Sequence, residues 1–251
     1  MVTLSVVIPV YNSAAFVGDR LRELTDFLAR SGIDHEVVAV DDGSTDHSAE
    51  TIERLRLPRT TVVREPSNRG KFGAIARGMA VARGRCRIFT DADVPYDLAA
   101  IPRAAHLVAD RGFHVVVGDR TLPESSYSAS LGPLRRIATA AFTHCVRLFV
   151  TSGLGDTQCG FKAVRGDVAD ALFPLMREER FAGDVELLYI ALKHNLTIRR
   201  IPVRLRFHGE SSVSAVKDGL IMMRSLLAIR SRHRQGLYES TVLHGLGASD
   251  E

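Results

Sequence analysis

Apolar and polar positions along this chain follow two periods, and the switches between them outline its elements. Leu4-Ser5-Val6-Val7-Ile8-Pro9-Val10 is a nearly continuous β-branched run, the pattern of a strand covered on both faces. Pro9 sits near its end, where a missing N–H is tolerated. Tyr11-Asn12-Ser13 makes a turn, after which Phe16, Leu21, Leu24, Phe27 and Leu28 recur with a helical period to about Arg30. Glu36-Val37-Val38-Ala39-Val40 predicts a second strand, closed by the polar turn Asp41-Asp42-Gly43-Ser44-Thr45-Asp46. A helix through Glu50 to Leu55 and a third strand, Thr61-Val62-Val63, follow. Asn68-Arg69-Gly70-Lys71-Phe72-Gly73 opens a helix to about Arg83. Cys86-Arg87-Ile88-Phe89 predicts strand four, a helix begins near Asp97, and Val115-Val116-Val117-Gly118 predicts strand five. Strands alternating with helices mean an α/β fold with a mainly parallel sheet flanked by helices.

Candidate chemistry gathers behind these strands. Asp91-Ala92-Asp93 follows strand four, and two carboxylates at i and i+2 on an extended chain point to one side. Both can then reach one hard cation, Mg²⁺ or Mn²⁺, bound together with a substrate's phosphates. Taken alone, D-x-D is a weak signal, and a turn or helix cap is the better reading of it. Its weight comes from position. Ligands in such sheets bind beyond the carboxyl ends of the strands, and Pro9–Asn12, Asp41–Asp42, Gly70–Lys71, Asp91–Asp93 and Gly118–Arg120 all follow strands.

Composition narrows the class. The 251 residues and 45% hydrophobic content suit one large domain, or a domain with an appendage. No run of apolar residues is long enough to span a membrane, and the start reads as a strand, not a signal peptide. Cys86, Cys145 and Cys159 form neither a disulfide framework nor a zinc pattern, which fits a reducing cytosol. A net charge of +4 and a pI near 9.2 suit a phosphate-rich ligand or an anionic membrane surface. Interspersed acids and the lack of a nucleic-acid motif argue against nucleic acid as a partner.

The order Val6-Val7-Ile8-Pro9-Val10-Tyr11-Asn12, Val40-Asp41-Asp42-Gly43-Ser44-Thr45-Asp46, Asp91-Ala92-Asp93 resembles the GT-A glycosyltransferases of family 2. Asn68-Arg69-Gly70-Lys71, Gly118-Asp119-Arg120, Asp156-Thr157-Gln158-Cys159-Gly160-Phe161-Lys162 and Phe181-Ala182-Gly183-Asp184-Val185-Glu186-Leu187-Leu188-Tyr189 resemble the polyprenyl-phosphate sugar synthases. Among these the dolichyl-phosphate β-glucosyltransferases are nearest and the mannosyl enzymes second. The likeness runs over about 4–232. Ser13 stands where the family has Glu, and Pro95 where the mannosyl enzymes often have a metal-binding Gln.

The resemblance implies a GT-A, Rossmann-like fold and inverting, metal-dependent transfer of glucose or mannose from a UDP- or GDP-linked sugar to a polyprenyl phosphate. It implies a donor site of Pro9, Val10, Tyr11, Asn12, Asp41, Asp42, Gly70, Lys71, Asp91, Ala92 and Asp93. Within it Asp41 would accept from the base, and Asp91 and Asp93 would hold Mg²⁺ or Mn²⁺. A phosphate monoester is mostly ionised at neutral pH, with a second pKa of about 6, so it needs a cationic cradle more than a general base. Arg120, Arg135 and Arg136 are candidates, with Arg206 a weaker one. Thr139, Gln158, Asp184 and Glu186 complete the expected acceptor set, and Arg120 and Arg135 are also expected to take part in catalysis. For Asp184 a helix N-cap is the competing explanation.

The expected domains are a catalytic unit over 1–211, an amphipathic helix over 212–235 and a frayed tail over 236–251. Val216, Leu220, Met223 and Leu227 share a stripe widened by Ile221, Met222, Leu226 and Ile229, with Arg224, Arg230, Arg232 and Arg234 on other faces. Such a helix either closes the sheet or lies, with a helix over 134–150, on an anionic membrane. The second reading expects a peripheral enzyme on the cytosolic membrane face. The alternatives are a soluble family 2 enzyme with a hydroxyl acceptor and a nucleotide-sugar binding protein without catalysis.

Overall fold

A computed structural model of the chain describes residues 2–126, 156–180, 182–206 and 215–248, with side chains in the last stretch from 223 onward. The five expected strands are β1 (Leu4–Val10), β2 (His35–Asp41), β3 (Thr60–Arg64), β4 (Cys86–Phe89) and β5 (Val115–Asp119). The helices between them are α1 (Val17–Ser31), α2 (Ser48–Leu55), α3 (Lys71–Val81) and α4 (Ala100–Ala109). α4 starts later than expected because Asp97 caps the preceding turn, its Oδ1 accepting the Ala99 N–H at 3.0 Å.

Two strands carry no period-two signal. β6 (Lys162–Arg165) starts at the last residue of the D-T-Q-C-G-F-K string, and β7 (Ile198–Pro202) ends in a proline at the sheet edge. The sheet order is β3-β2-β1-β4-β6-β5-β7, with β6 alone antiparallel to its neighbours. From β1 the chain builds outward through β2 and β3, then crosses back to lay β4 on the other side of β1. The crevice between the carboxyl ends of β1 and β4 is therefore the switch point where ligands bind in such sheets.

Alternation within the buried strands divides the core. Val7, Val38, Val40 and Phe89 face one cluster, while Val6, Ile8, Val37, Ala39 and Ile88 face the other. α1 and α4 fill the second cluster with Leu21, Leu24, Leu28, Ala104 and Val108. The first is filled by α3 with α5 (Gly166–Leu172), α6 (Gly183–Lys193), α7 (Ala215–Arg234) and α8 (Thr241–Ala248).

The C-terminal expectations change here. On α7, Leu226 and Ile229 are buried in the sheet's own core with Met223 packed against them, so this half of the helix closes the sheet. The stretch expected to fray contains α8, whose Leu243 is fully buried, and Tyr238, whose backbone oxygen accepts from His194 Nε2 at 2.8 Å. Gly247 seals the contact: a Cβ there would stand 1.9 Å from the His194 carbonyl oxygen. The expected helix over 134–150 lies outside the described residues.

Candidate active site

At the β1/β4 switch point lies a cleft of about 350 Å³. Eight of the expected donor residues line it: Pro9, Val10, Tyr11, Asp42, Gly70, Lys71, Asp91 and Ala92. Ser13, Asn68, Ala74 and Arg180 line it as well. Of these, Arg180 carries a charge that the pattern of the chain did not single out. Its only sequence signal is its place immediately before Phe181-Ala182-Gly183-Asp184.

The loops around the cleft are tied to one another. Asn12, in the left-handed region at φ 47°, accepts the Thr45 N–H on Oδ1 at 2.9 Å and donates its own N–H to Ser44 Oγ at 3.0 Å. Ser13 donates its N–H to Ser48 Oγ at 2.8 Å, joining the same two loops. Asp42 brackets the third loop, its two oxygens accepting the N–H groups of Arg69 at 2.9 Å and Gly70 at 2.8 Å. Gly70 is needed for contact within the protein: at φ 98°, a Cβ would meet the Glu179 carbonyl oxygen at 2.6 Å.

Asp41 lies behind the cleft and is buried. Oδ2 accepts the Ser44 N–H at 3.3 Å, but Oδ1 has no hydrogen-bond partner among the described residues. A buried carboxylate oxygen without a donor costs stability unless something else supplies one.

The D-A-D stretch is a turn, not the extended chain expected from its spacing. The Val94 N–H donates to the Asp91 carbonyl at 2.9 Å, and Val94 itself sits at φ 44° with its side chain buried. A β-branched residue in that region is a genuine outlier, of the kind that collects at functional sites. Burial raises the Asp93 pKa above the usual carboxylate value, and the neighbouring Asp91 charge raises it further. Lys71 Nζ reaches Asp91 Oδ1 at 2.5 Å. Burial opposes the lysine charge, but Asp91 and then Asp184 outweigh it and hold its pKa above the ordinary value. Gly160 packs so tightly on Asp91 that a Cβ would stand 2.1 Å from Oδ2.

Two carboxylates close in sequence, one pushed toward its neutral form by burial and by the other's charge, fit a divalent cation that would offset both. No cluster of three or more His, Cys, Asp or Glu able to hold a metal occurs among the described residues. The remaining ligands would be phosphate oxygens and water, as is usual for Mg²⁺.

The expected acceptor residues separate. Arg120 forms a fork with Asp156, Nε to Oδ2 at 2.6 Å and Nη2 to Oδ1 at 2.9 Å. Burial would raise the Asp156 pKa, but Arg120 outweighs it and holds the carboxyl below the usual range. Gln158 donates its N–H to Asp156 Oδ1 at 3.1 Å, and its Nε2 is buried without a partner among the described residues. Asp184 is buried on Lys162, whose ammonium also donates to the Cys159 carbonyl at 2.6 Å.

Glu186 and Arg206 do not join the cleft. Glu186 is fully buried, with Oε2 accepting the N–H groups of Arg177 at 2.8 Å and Glu178 at 2.7 Å. Its Oε1 accepts the Tyr238 hydroxyl at 2.5 Å and Arg232 Nη1 at 3.2 Å, so this carboxylate is an internal tie. Arg206 forms an ion pair with Glu23 on α1. Arg135, Arg136 and Thr139 lie outside the described residues.

Comparison with known proteins agrees with the fold. The model of the family described as Glycosyl transferase family 2 matches residues 5–148. The chain is 33% identical over 259 residues to a dolichyl-phosphate beta-glucosyltransferase of Drosophila melanogaster, covering 94% of this chain and 76% of that protein. A dolichyl-phosphate beta-glucosyltransferase of Dictyostelium discoideum is 30% identical over 249 residues, with the same coverage of 94% and 76%. Among solved structures, glucosyl-3-phosphoglycerate synthase from Mycobacterium tuberculosis, crystallised with Mn²⁺, UDP-glucose and phosphoglyceric acid, superposes with a TM-score of 0.67. That pair is 19% identical, over 95% of this chain and 81% of that one.

Proposed function

The chain belongs to glycosyl transferase family 2, and from that premise we propose that it transfers glucose from a nucleoside-diphosphate sugar to a polyprenyl phosphate, with inversion. The observation that carries the reading is the switch-point cleft, where Lys71, Asp91 and the bracketed Gly70 loop meet. The likeness to dolichyl-phosphate β-glucosyltransferases over nearly the whole chain supports the sugar and the acceptor class.

In this reading the acceptor's phosphate oxygen attacks the anomeric carbon. The bond from that carbon to the diphosphate oxygen breaks, and the nucleoside diphosphate leaves. The acceptor phosphate is already mostly ionised at neutral pH, so no side chain has to remove a proton. Asp41 Oδ1 accepts an N–H of the base, which supplies the donor that this buried oxygen lacks. Lys71 brings positive charge to the diphosphate, and Asp42 keeps the Gly70 loop in place. Asp91 and Asp93 would hold Mg²⁺ or Mn²⁺, which supplies Lewis-acid stabilisation of the leaving group when bound. Arg120 is held in one orientation by Asp156 and, with Arg135, Arg136, Thr139, Gln158 and Asp184, is assigned to the acceptor side. Rigid orientation is what bidentate phosphate recognition requires.

A transfer assay crossing UDP-glucose and GDP-mannose with polyprenyl phosphate and water-soluble hydroxyl acceptors, with Mg²⁺, Mn²⁺ or chelator, tests the reading. Glucosyl transfer to the lipid phosphate that is lost in chelator is expected. Asp93→Ala should abolish the metal-dependent rate without unfolding the protein. Full activity in chelator removes the metal role, and preferred transfer to hydroxyl acceptors removes the lipid-phosphate reading.

A further inference from the structure

Segment 177–180 crosses the edge of the cleft and is fixed residue by residue. The N–H groups of Arg177 and Glu178 donate to the buried Glu186 carboxylate on α6. The Glu178 carboxylate accepts from Ser225 Oγ at 2.9 Å and Arg232 Nη1 at 2.6 Å, both on α7. The Glu179 carbonyl accepts the N–H groups of Phe72 at 2.8 Å and Gly73 at 3.2 Å, and its carboxylate pairs with Arg69. Arg180 follows, with its Cγ 3.0 Å from where a Cβ on Gly70 would stand, and lines the cleft.

This arrangement has a chemical consequence. The first N–H groups of a helix that follows a strand are the ordinary place to bind a phosphate. Here the Glu179 carbonyl already occupies two of them at the start of α3. Of the two cations lining the cleft, Lys71 is engaged by Asp91 at 2.5 Å. Arg180 has no carboxylate partner among the described residues. An isolated surface arginine would be a solvated side chain, but this one stands at the end of a strap held by α3, α6 and α7, beside a glycine the strap requires.

We infer that Arg180 is a donor-binding residue whose guanidinium clamps the diphosphate of the nucleoside-diphosphate sugar, in place of the helix N-terminus that Glu179 blocks. The inference rests on the donor reading above and deepens it. A planar guanidinium offers paired N–H donors to phosphate oxygens, which an ammonium cannot reproduce.

Calorimetric titration of the full chain with UDP, GDP and uridine tests it. Arg180→Gln should weaken binding of the preferred diphosphate by about tenfold or more and leave uridine binding unchanged, with Arg180→Lys in between. Diphosphate affinity in Arg180→Gln within about twofold of wild type overturns the assignment, as does an equal loss for uridine. A rise only in the KM for polyprenyl phosphate also overturns it and moves Arg180 to the acceptor. Wild-type protein that binds neither UDP nor GDP would instead bring down the donor reading itself.

Discussion

A methyl group on Gly160 has nowhere to go except into the Asp91 carboxylate, 2.1 Å away. Gly160→Ala should therefore displace Asp91 and cut transfer by tenfold or more, on the order of the displacement penalties seen in preorganised sites. The accompanying stability loss should stay within about 1–3 kcal/mol, the usual range for overpacking. Steady-state kinetics beside thermal denaturation separates the two effects. The Arg120–Asp156 fork gives a second outcome, with a pH signature. Asp156→Asn leaves a guanidinium only 27% exposed without its counter-charge, which should cost on the order of 2 kcal/mol at neutral pH. The folded Asp156 pKa is depressed, so its contribution is present above the unfolded value and fades as pH falls through the folded one. Wild type and variant should begin to approach each other in denaturant midpoint below about pH 4 and meet only below the depressed Asp156 pKa. Several of these residues were legible before the fold: Asp41, Lys71 and Asp91 come from strand ends, and the sheet's geometry makes strand ends converge. Arg180 was not, because nothing in residue spacing says which arginine a distant helix will hold over a cleft.

Among the elements, the strap and its supports matter most to the site. Glu186 ties α6 to the backbone of 177–178, to Tyr238 and to Arg232 on α7. Glu186→Gln keeps the shape but removes the charge that four donors share. We expect a loss of roughly 2–3 kcal/mol in denaturant unfolding, as for other buried hydrogen bonds to a charged group. The KM for the lipid acceptor should be unchanged if the acid is purely internal, and a selective rise would return it to the acceptor site. Glu186 was expected at the acceptor from its motif, and burial decided otherwise: the same D-V-E-L-L-Y string turns Asp184 toward Lys162 and Lys71 and turns Glu186 into the core. β1, β2 and β5 could be read directly because their β-branched runs are buried on both faces, and β3 and β4 from short apolar runs. β6 could not: its four residues begin and end in charge, and it becomes a strand only because β4 and β5 leave a slot between them. α8 was hidden for a related reason, since Leu243 is the one large side chain that this eight-residue helix buries fully.

For the whole molecule, the proposed lipid-phosphate acceptor requires a surface that meets a membrane. None of the described helices is long and apolar enough to cross a membrane. What the two C-terminal helices and the turn between them do carry outward is Leu227 at 58% exposure, Leu237 at 43% and Val242 at 58%, together with the exposed Arg224 and Arg234. Arg232 is withdrawn from any such surface by Glu178 and Glu186, so removing it would test stability, not lipid contact. Apolar side chains beside arginines, on a chain of net charge +4, are what the proposed contact with anionic lipid would need. Each arginine near such a surface contributes about 1 kcal/mol, and the contribution falls with salt. Arg224→Gln with Arg234→Gln should therefore lower partitioning onto phosphatidylserine vesicles by roughly tenfold or more at low ionic strength, and much less in high salt. Leu227→Ser should lower it at both. Diphosphate binding in solution should be the same in both variants, because none of the three residues lines the cleft. Vesicle sedimentation of the wild type at low and high salt comes first: no binding in either would mean that the lipid acceptor is reached without a membrane-bound enzyme, and the exposed leucines would then need another partner.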